Sequence, residues 1–203
     1  MKIKQAVFKC SSPRADMCPA TTEPEYAFIG RSNVGKSSLI NMLTRNGKLA
    51  MTSSTPGKTM LVNHFLINEE WYLVDLPGYG YAARGKREMD KLWNLISHYV
   101  LERQQLICLF VLIDIRHEPQ RKDLDFLQFL GENGIPFAIV FTKADKLNRN
   151  QIGTHVQNYL HRLEDSWEEL PPHFVTSATT ALGRDELLDY IDSINRSLAS
   201  QNA

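Results

Sequence analysis

Hydrophobic and polar positions along this chain of 203 residues follow two alternating periods. Short apolar or β-branched runs, bounded by polar or turn residues, stand at Glu25-Tyr-Ala-Phe-Ile29, Leu61-Val-Asn-His-Phe-Leu-Ile67, Trp71-Tyr-Leu-Val-Asp75, Leu106–Ile113, Phe137-Ala-Ile-Val-Phe141 and His173-Phe-Val-Thr176, and each reads as a strand. The fourth and fifth are apolar throughout, as parallel strands covered on both faces are. Between the runs lie stretches with apolar residues three and four apart: Leu39, Ile40 and Leu43; Met89, Leu92, Trp93, Ile96 and Val100; Leu124, Leu127 and Leu130; Ile152, Val156, Tyr159, Leu160 and Leu163; Leu187, Leu188, Ile191, Ile194 and Leu198. That spacing is helical.

Only Asn68-Glu-Glu70 separates the second run from the third, which is too short for a crossover helix and right for a hairpin. The pattern therefore predicts an α/β domain with a mostly parallel six-stranded sheet, one antiparallel strand, and helices on both faces. Residues 1–21 read as an N-terminal arm, 22–198 as the domain and 199–203 as a C-terminal tail. Ligand loops in such a sheet follow the carboxyl ends of the strands.

Composition narrows the function classes. No apolar run approaches the roughly 20 residues of a membrane-spanning helix, and the N-terminal stretch shows no secretory apolar region or cleavage site, so a cytoplasmic protein without membrane attachment is expected. Lys+Arg 23 balance Asp+Glu 23, which argues against nonspecific polyanion binding by the whole surface. Cys10, Cys18 and Cys108 form no CxxC pair and read as structural; Trp93 and Trp167 read as packing residues. Nothing points to an obligate interface, and a monomer is expected.

The chemistry concentrates in the loops. Gly30-Arg31-Ser32-Asn33-Val34-Gly35-Lys36-Ser37 fits G-x-x-x-x-G-K-[ST] between a strand and a helix, the setting in which backbone N–H groups and a helix N-terminus cradle a polyphosphate. Lys36 is placed to reach the β- and γ-phosphates, and the Ser37 hydroxyl to ligate Mg²⁺. Downstream, Asp75-Leu76-Pro77-Gly78 puts a carboxylate at a strand end to hold the metal through a water, followed by a glycine N–H that can sense the γ-phosphate. The fifth strand ends in Thr142-Lys143-Ala144-Asp145 and the sixth in Thr176-Ser177-Ala178. A carboxylate at Asp145 can accept hydrogen bonds from N1 and the exocyclic amine of guanine, a pairing adenine does not offer. The Lys143 stem would lie on the base plane, and the Ala178 N–H would donate to the guanine carbonyl.

In order and position these motifs resemble those of the translation-factor-related, Ras-like P-loop GTPases. More narrowly, GRSNVGKSSLIN, TPGKT, DLPGYGYA, DIRH and TKADK together resemble the EngB (YihA/YsxC) family over roughly Thr22 to Leu198. The resemblance implies a single GTPase domain that assists assembly of the large (50S) ribosomal subunit, with a role in normal cell division and septation. It implies nucleotide contacts at Gly30 to Ser37, at Gly57, Lys58, Thr59, Met60 and Leu61, at Asp75 to Gly78, at Thr142 to Asp145 and at Thr176 to Ala178, with magnesium on Ser37 and Thr59. Thr52, Thr55 and Thr59 all lie in one loop; Thr59 is taken by analogy with related GTPases in which the threonine after Pro-Gly-x supplies the ligand, with Thr55 second. Thr142 departs from the wider superfamily's asparagine, a feature the family shares, and it implies modest guanine affinity.

Lys36, Thr59 and Gly78 are expected to serve hydrolysis. Ras-like enzymes orient the attacking water with a glutamine after that glycine, whereas Gly78 is followed by Tyr79-Gly80-Tyr81. Intrinsic turnover is therefore expected near or below the ~10⁻⁴ s⁻¹ scale of unassisted Ras, until a partner completes the site. Asn33 matches a position that in several related GTPases helps coordinate potassium, which can act where an arginine finger would. The segment Gly78 to Arg87, with tyrosines expected at the surface, and Arg31, Arg45, Lys48 and Lys58 offer aromatic and basic groups suited to ribosomal RNA or protein. Asp114, Arg116 and His117 read as structural residues. Two other readings stand beside the assembly GTPase: a GTP-dependent adaptor recruiting proteins at the division site without direct ribosome contact, and a small-molecule kinase, for which the guanine-reading pair would be coincidental.

Overall fold

The computed structural model describes residues 1–50, 60–80 and 85–201. Its strands are β1 (Ala6–Ser12), β2 (Glu25–Gly30), β3 (Val62–Ile67), β4 (Trp71–Asp75), β5 (Leu106–Asp114), β6 (Phe137–Thr142) and β7 (His173–Val175). Its helices are α1 (Lys36–Thr44), α2 (Lys86–Glu102), α3 (Arg121–Glu132), α4 (Arg149–Glu164) and α5 (Arg184–Gln201). The sheet runs in the order β1-β3-β4-β2-β5-β6-β7, and β3 alone points against the rest, pairing antiparallel with both β1 and β4.

All six expected strands and all five expected helices form. Two boundaries differ. The sheet has seven strands rather than six, because the expected N-terminal arm supplies β1 at the sheet edge. Most of β1 is exposed, so it carries no buried apolar stripe to read. It is held instead by its ladder to β3 and by Asn68 of the hairpin, whose side chain accepts from the N–H groups of Lys4 and Gln5 at 2.8 and 3.1 Å. At the other end, α5 continues past Leu198 to Gln201.

Period-2 alternation divides the core between the two faces of the sheet. Along β5, Leu109, Val111 and Ile113 face a layer completed by α2, α3 and α4, while Cys108, Phe110 and Leu112 face a layer completed by α1 and α5. Cys108 packs as a buried small hydrophobe, and burial pushes its thiol up to about 12. Trp93 is less enclosed than its helical spacing suggested: 42% exposed, it stands at the rim of α2 edge-on to Phe129 at 4.9 Å. Arg184 at the start of α5 closes the far end of α1 by donating to the Met42 and Leu43 carbonyls at 3.1 and 2.8 Å. The C-terminal end of the helix that follows the phosphate motif is thereby fixed.

Below the site, at the opposite end of β2, the fully buried Glu25 carboxylate is met by Arg103 at 2.5 and 3.0 Å, by the Tyr99 hydroxyl at 2.6 Å, and by His64 Nε2 at 3.3 Å. Burial works to raise its pKa, but the neighbouring His64, Arg103 and Tyr99 outweigh burial and bring it down to about 2. Arg103 also donates to the Pro19 carbonyl at 2.6 Å, tying the N-terminal segment to the end of α2.

Candidate phosphate and nucleotide site

The phosphate motif occupies the turn between β2 and α1. Gly30 ends β2 where a Cβ would stand 2.9 Å from both the Leu112 carbonyl oxygen and Val34 Cγ1, so no side chain fits. Gly35 caps α1 at φ 101°, a conformation that glycine adopts freely. Asn33, also at positive φ (63°), is exposed, as asparagine in a tight phosphate loop tolerates. Lys36 and Ser37 open α1 and are partly buried. The Lys36 ammonium pairs with the Asp75 carboxylate across the two strand ends, with the side chains 15% and 13% exposed.

The segment after β4 stays in register with β2 beyond the sheet. Leu76 N–H donates to the Phe28 carbonyl at 3.0 Å and Tyr79 N–H to the Gly30 carbonyl at 3.1 Å. Gly78 passes so close that a Cβ there would lie 2.9 Å from the Gly30 oxygen. Leu76 and Pro77 are buried beneath it. Tyr79, expected at the surface, is buried at 7% exposure: its hydroxyl donates to Asp123 at 2.9 Å and its ring lies against Phe126. The apolar ring fits a ready-made slot beside α3, which a local reading of Tyr-Gly-Tyr does not reveal.

Two residues, Thr142 and Lys143, join the base loop to the phosphate loop. Thr142, almost fully buried, donates from its hydroxyl to the Val34 carbonyl at 2.6 Å, so threonine ties the loops together without the usual amide. The Lys143 ammonium donates to the Asn33 carbonyl at 2.6 Å and pairs with Asp114 at 2.9 Å. Asp114, at the end of β5, also receives the Arg116 guanidinium at 2.9 and 2.7 Å. Burial favours its neutral form, yet Arg116 and Lys143 outweigh burial and hold the carboxyl well below the usual range. The sequence reads Asp114 and Arg116 as structural residues; the signal that they stand beside the site is their place at the carboxyl end of a central parallel strand.

Asp145 is met by the Ser177 hydroxyl at 2.8 Å and the Lys146 ammonium at 3.2 Å, and the Ser177 bond is the main reason its pKa is lowered. Ala144 N–H donates to the Thr176 carbonyl at 3.1 Å, and the buried Thr176 is anchored to Phe141. Ala178 follows, half-buried. The structure thus gathers the four motifs along the carboxyl ends of β2, β4, β6 and β7.

Met60 and Leu61, partly buried, lead directly into β3. Gly57, Lys58 and Thr59, with Thr52, Thr55, Tyr81 and Arg84, lie outside the described residues. Arg45 and Lys48 are exposed beyond the end of α1. Among the described residues no group of three or more His, Cys, Asp or Glu side chains is placed to hold a metal alone. A hydroxyl on Ser37 and a single carboxylate on Asp75 fit Mg²⁺, which binds through few protein oxygens when phosphates supply the remainder.

A phosphate cradle at a strand-to-helix turn, a second strand end packed against it, and a paired base loop define a P-loop nucleotide-binding protein of the Ras-like GTPase type. The profile of the family described as "50S ribosome-binding GTPase" matches residues 25–143. "Probable GTP-binding protein EngB" of Phocaeicola vulgatus is 63% identical over 198 residues, 98% of this chain and 99% of the relative. The protein of the same name from Flavobacterium psychrophilum is 55% identical over 203 residues, 100% of this chain and 99% of the relative. Among solved structures, a "probable GTP-binding protein engB" superposes with a TM-score of 0.64 at 24% identity, covering 85% of this chain and 99% of that one. A bacterial selenocysteine-specific elongation factor gives 0.61 at 18% identity, with 87% of this chain matching 29% of that longer one. The two superpositions speak to the fold. The chain belongs to the EngB family of GTP-binding proteins and is a GTPase.

Proposed function

We propose that this GTPase is a nucleotide-dependent switch in assembly of the large (50S) ribosomal subunit, engaging the subunit's rRNA or proteins when GTP is bound and releasing them after hydrolysis. The observation that carries the switch reading is the contact of Gly78 with Gly30, which brings the segment after β4 against the phosphate loop where a terminal phosphate would sit. What supports the ribosomal part is the family's description and the near full-length kinship with proteins named EngB. A role in normal division and septation belongs to the same reading, in a monomeric cytoplasmic protein. No helix among the described residues is long and apolar enough to cross a membrane.

In this reading Gly30 to Ser37 cradle the phosphates, and Lys36 exchanges Asp75 for β- and γ-phosphate oxygens. Gly78 N–H senses the γ-phosphate, and Gly57 to Leu61 supply further nucleotide contacts. Ser37, Thr59 and, through a water, Asp75 would hold Mg²⁺, whose charge neutralises the phosphate oxygens when it is bound. Asp145 reads guanine, the Lys143 stem supports the base plane, and Ala178 N–H meets the guanine carbonyl.

Because the Tyr79 hydroxyl is committed to Asp123, the residue after the sensor is unavailable to orient water. Slow intrinsic hydrolysis follows, raised by a ribosomal partner and by potassium held at Asn33. Co-sedimentation with large ribosomal subunits in a nonhydrolysable GTP analogue, lost with GDP and weakened by salt, tests the proposal. Nucleotide-dependent complexes with proteins alone would move the assignment to the recruiting adaptor.

A further inference from the structure

The first turn of α3 holds the residues that follow Gly78. Tyr79 is fixed three ways: its N–H on the Gly30 carbonyl at 3.1 Å, its hydroxyl on Asp123 Oδ1 at 2.9 Å, and its ring on Phe126 with centroids 4.7 Å apart. Asp123 is 3% exposed, and its other oxygen lies 4.0 Å from the guanidinium of Arg31 in the phosphate loop. Next to it, the Lys122 ammonium lies 3.4 Å from the Gly80 carbonyl oxygen. Replacing buried charged groups by well-packed apolar side chains is often neutral for stability, so burial of Asp123 is weak evidence for a purely stabilising role. Its carboxylate sits where the α3 dipole favours an anion, and it bridges two segments of the phosphate site.

We propose that Asp123 is a positioning residue of the nucleotide switch: through the Tyr79 hydroxyl it holds the backbone that presents Gly78 N–H to the γ-phosphate. The inference rests on the γ-phosphate-sensing reading of Gly78 given above. The physical effect is preorganisation. With the tyrosine tethered, the sensor N–H is already in place when GTP arrives; without the tether, the ordering of residues 78–80 falls on the binding step and lowers GTP affinity. GDP makes no contact there, so its affinity stays constant. Arg31, on the other oxygen, keeps the same carboxylate in register with the phosphate loop.

Titration of the full chain with fluorescent GDP and a fluorescent nonhydrolysable GTP analogue, both with Mg²⁺, decides the matter. Tyr79→Phe and Asp123→Ala are expected to weaken analogue binding roughly tenfold and leave GDP binding within about twofold. Asp123→Asn keeps an acceptor for the phenol and is expected to retain most of the wild-type ratio of the two affinities. Thermal melting of each variant confirms that it is folded, and Tyr79→Phe, which removes a single oxygen, keeps the test valid should Asp123→Ala unfold. An unchanged ratio in Tyr79→Phe overturns the proposal. So does a rise in analogue affinity, or a loss in Asp123→Asn equal to that in Asp123→Ala. Gly78→Ala separates the two layers: if it lowers analogue affinity and spares GDP while Tyr79→Phe changes neither, sensing by Gly78 stands and the latch fails. If Gly78→Ala alters neither affinity, the sensing reading fails and takes the latch with it.

Discussion

Replacing Asp114 by asparagine is expected to loosen the guanine end of the site without touching the phosphate end. The carboxylate receives Arg116 at 2.9 and 2.7 Å and the Lys143 ammonium at 2.9 Å, and its side chain is only 10% exposed. At 2.9 Å and an effective dielectric of about 20, the bare attraction to Lys143 is about 6 kcal/mol. Desolvation and partial screening reduce that figure, Lys143 being 27% exposed, and hydrogen bonds to charged groups measure about 1.5–3 kcal/mol net. Lys143 keeps its second anchor, the Asn33 carbonyl at 2.6 Å, so only part of the smaller figure reaches the base loop. A loss of about 1–1.5 kcal/mol corresponds to roughly fivefold to tenfold weaker binding. GDP and GTP share the base, so both should weaken alike, with turnover at saturating GTP unchanged. Titrations with fluorescent GDP and a GTP analogue measure the pair. Unaltered GDP affinity, or a loss confined to the analogue, would refute the coupling of Asp114 to the base through Lys143.

Asp145→Asn should move preference from GTP toward xanthosine triphosphate, because the amide offers a donor where guanine needs an acceptor; competition binding with both nucleotides checks this. Gly30→Ala should destabilise the fold by about 1–3 kcal/mol, since the added methyl meets the Leu112 carbonyl oxygen and Val34 at 2.9 Å, and denaturant unfolding reads the loss. Glu25, held at about 2 against an ordinary 4.5, contributes stability that is complete above the ordinary value and is lost as pH falls through the lowered one. Urea unfolding at pH 6 and pH 3 should therefore differ by about 2 kcal/mol from this group, and Glu25→Gln should shrink the difference. Hydrolysis compared in potassium and sodium buffers tests Asn33: a faster rate in potassium is expected, and equal rates would remove the ion from the mechanism.

Much of this molecule is written locally. The alternation of short apolar runs with helical spacings determined the sheet, the helices and the single reversed strand, because periods of 2 and 3.6 follow from where backbone geometry sends side chains. The phosphate loop was equally legible, since Gly30 and Gly35 mark positions where space or backbone conformation admits little else. Three features waited for the tertiary structure. β1 is an exposed edge strand whose stability comes from its β3 ladder and Asn68, partners far away in sequence. Asp114 acquires its purpose only when β5 and β6 lie side by side and bring Lys143 to it. Tyr79 turns inward because α3 offers an aromatic slot and the Asp123 carboxylate, 44 residues away along the chain. Residue type announces what a side chain can donate, accept or bury; which partner it meets is decided by packing between segments that the chain keeps apart.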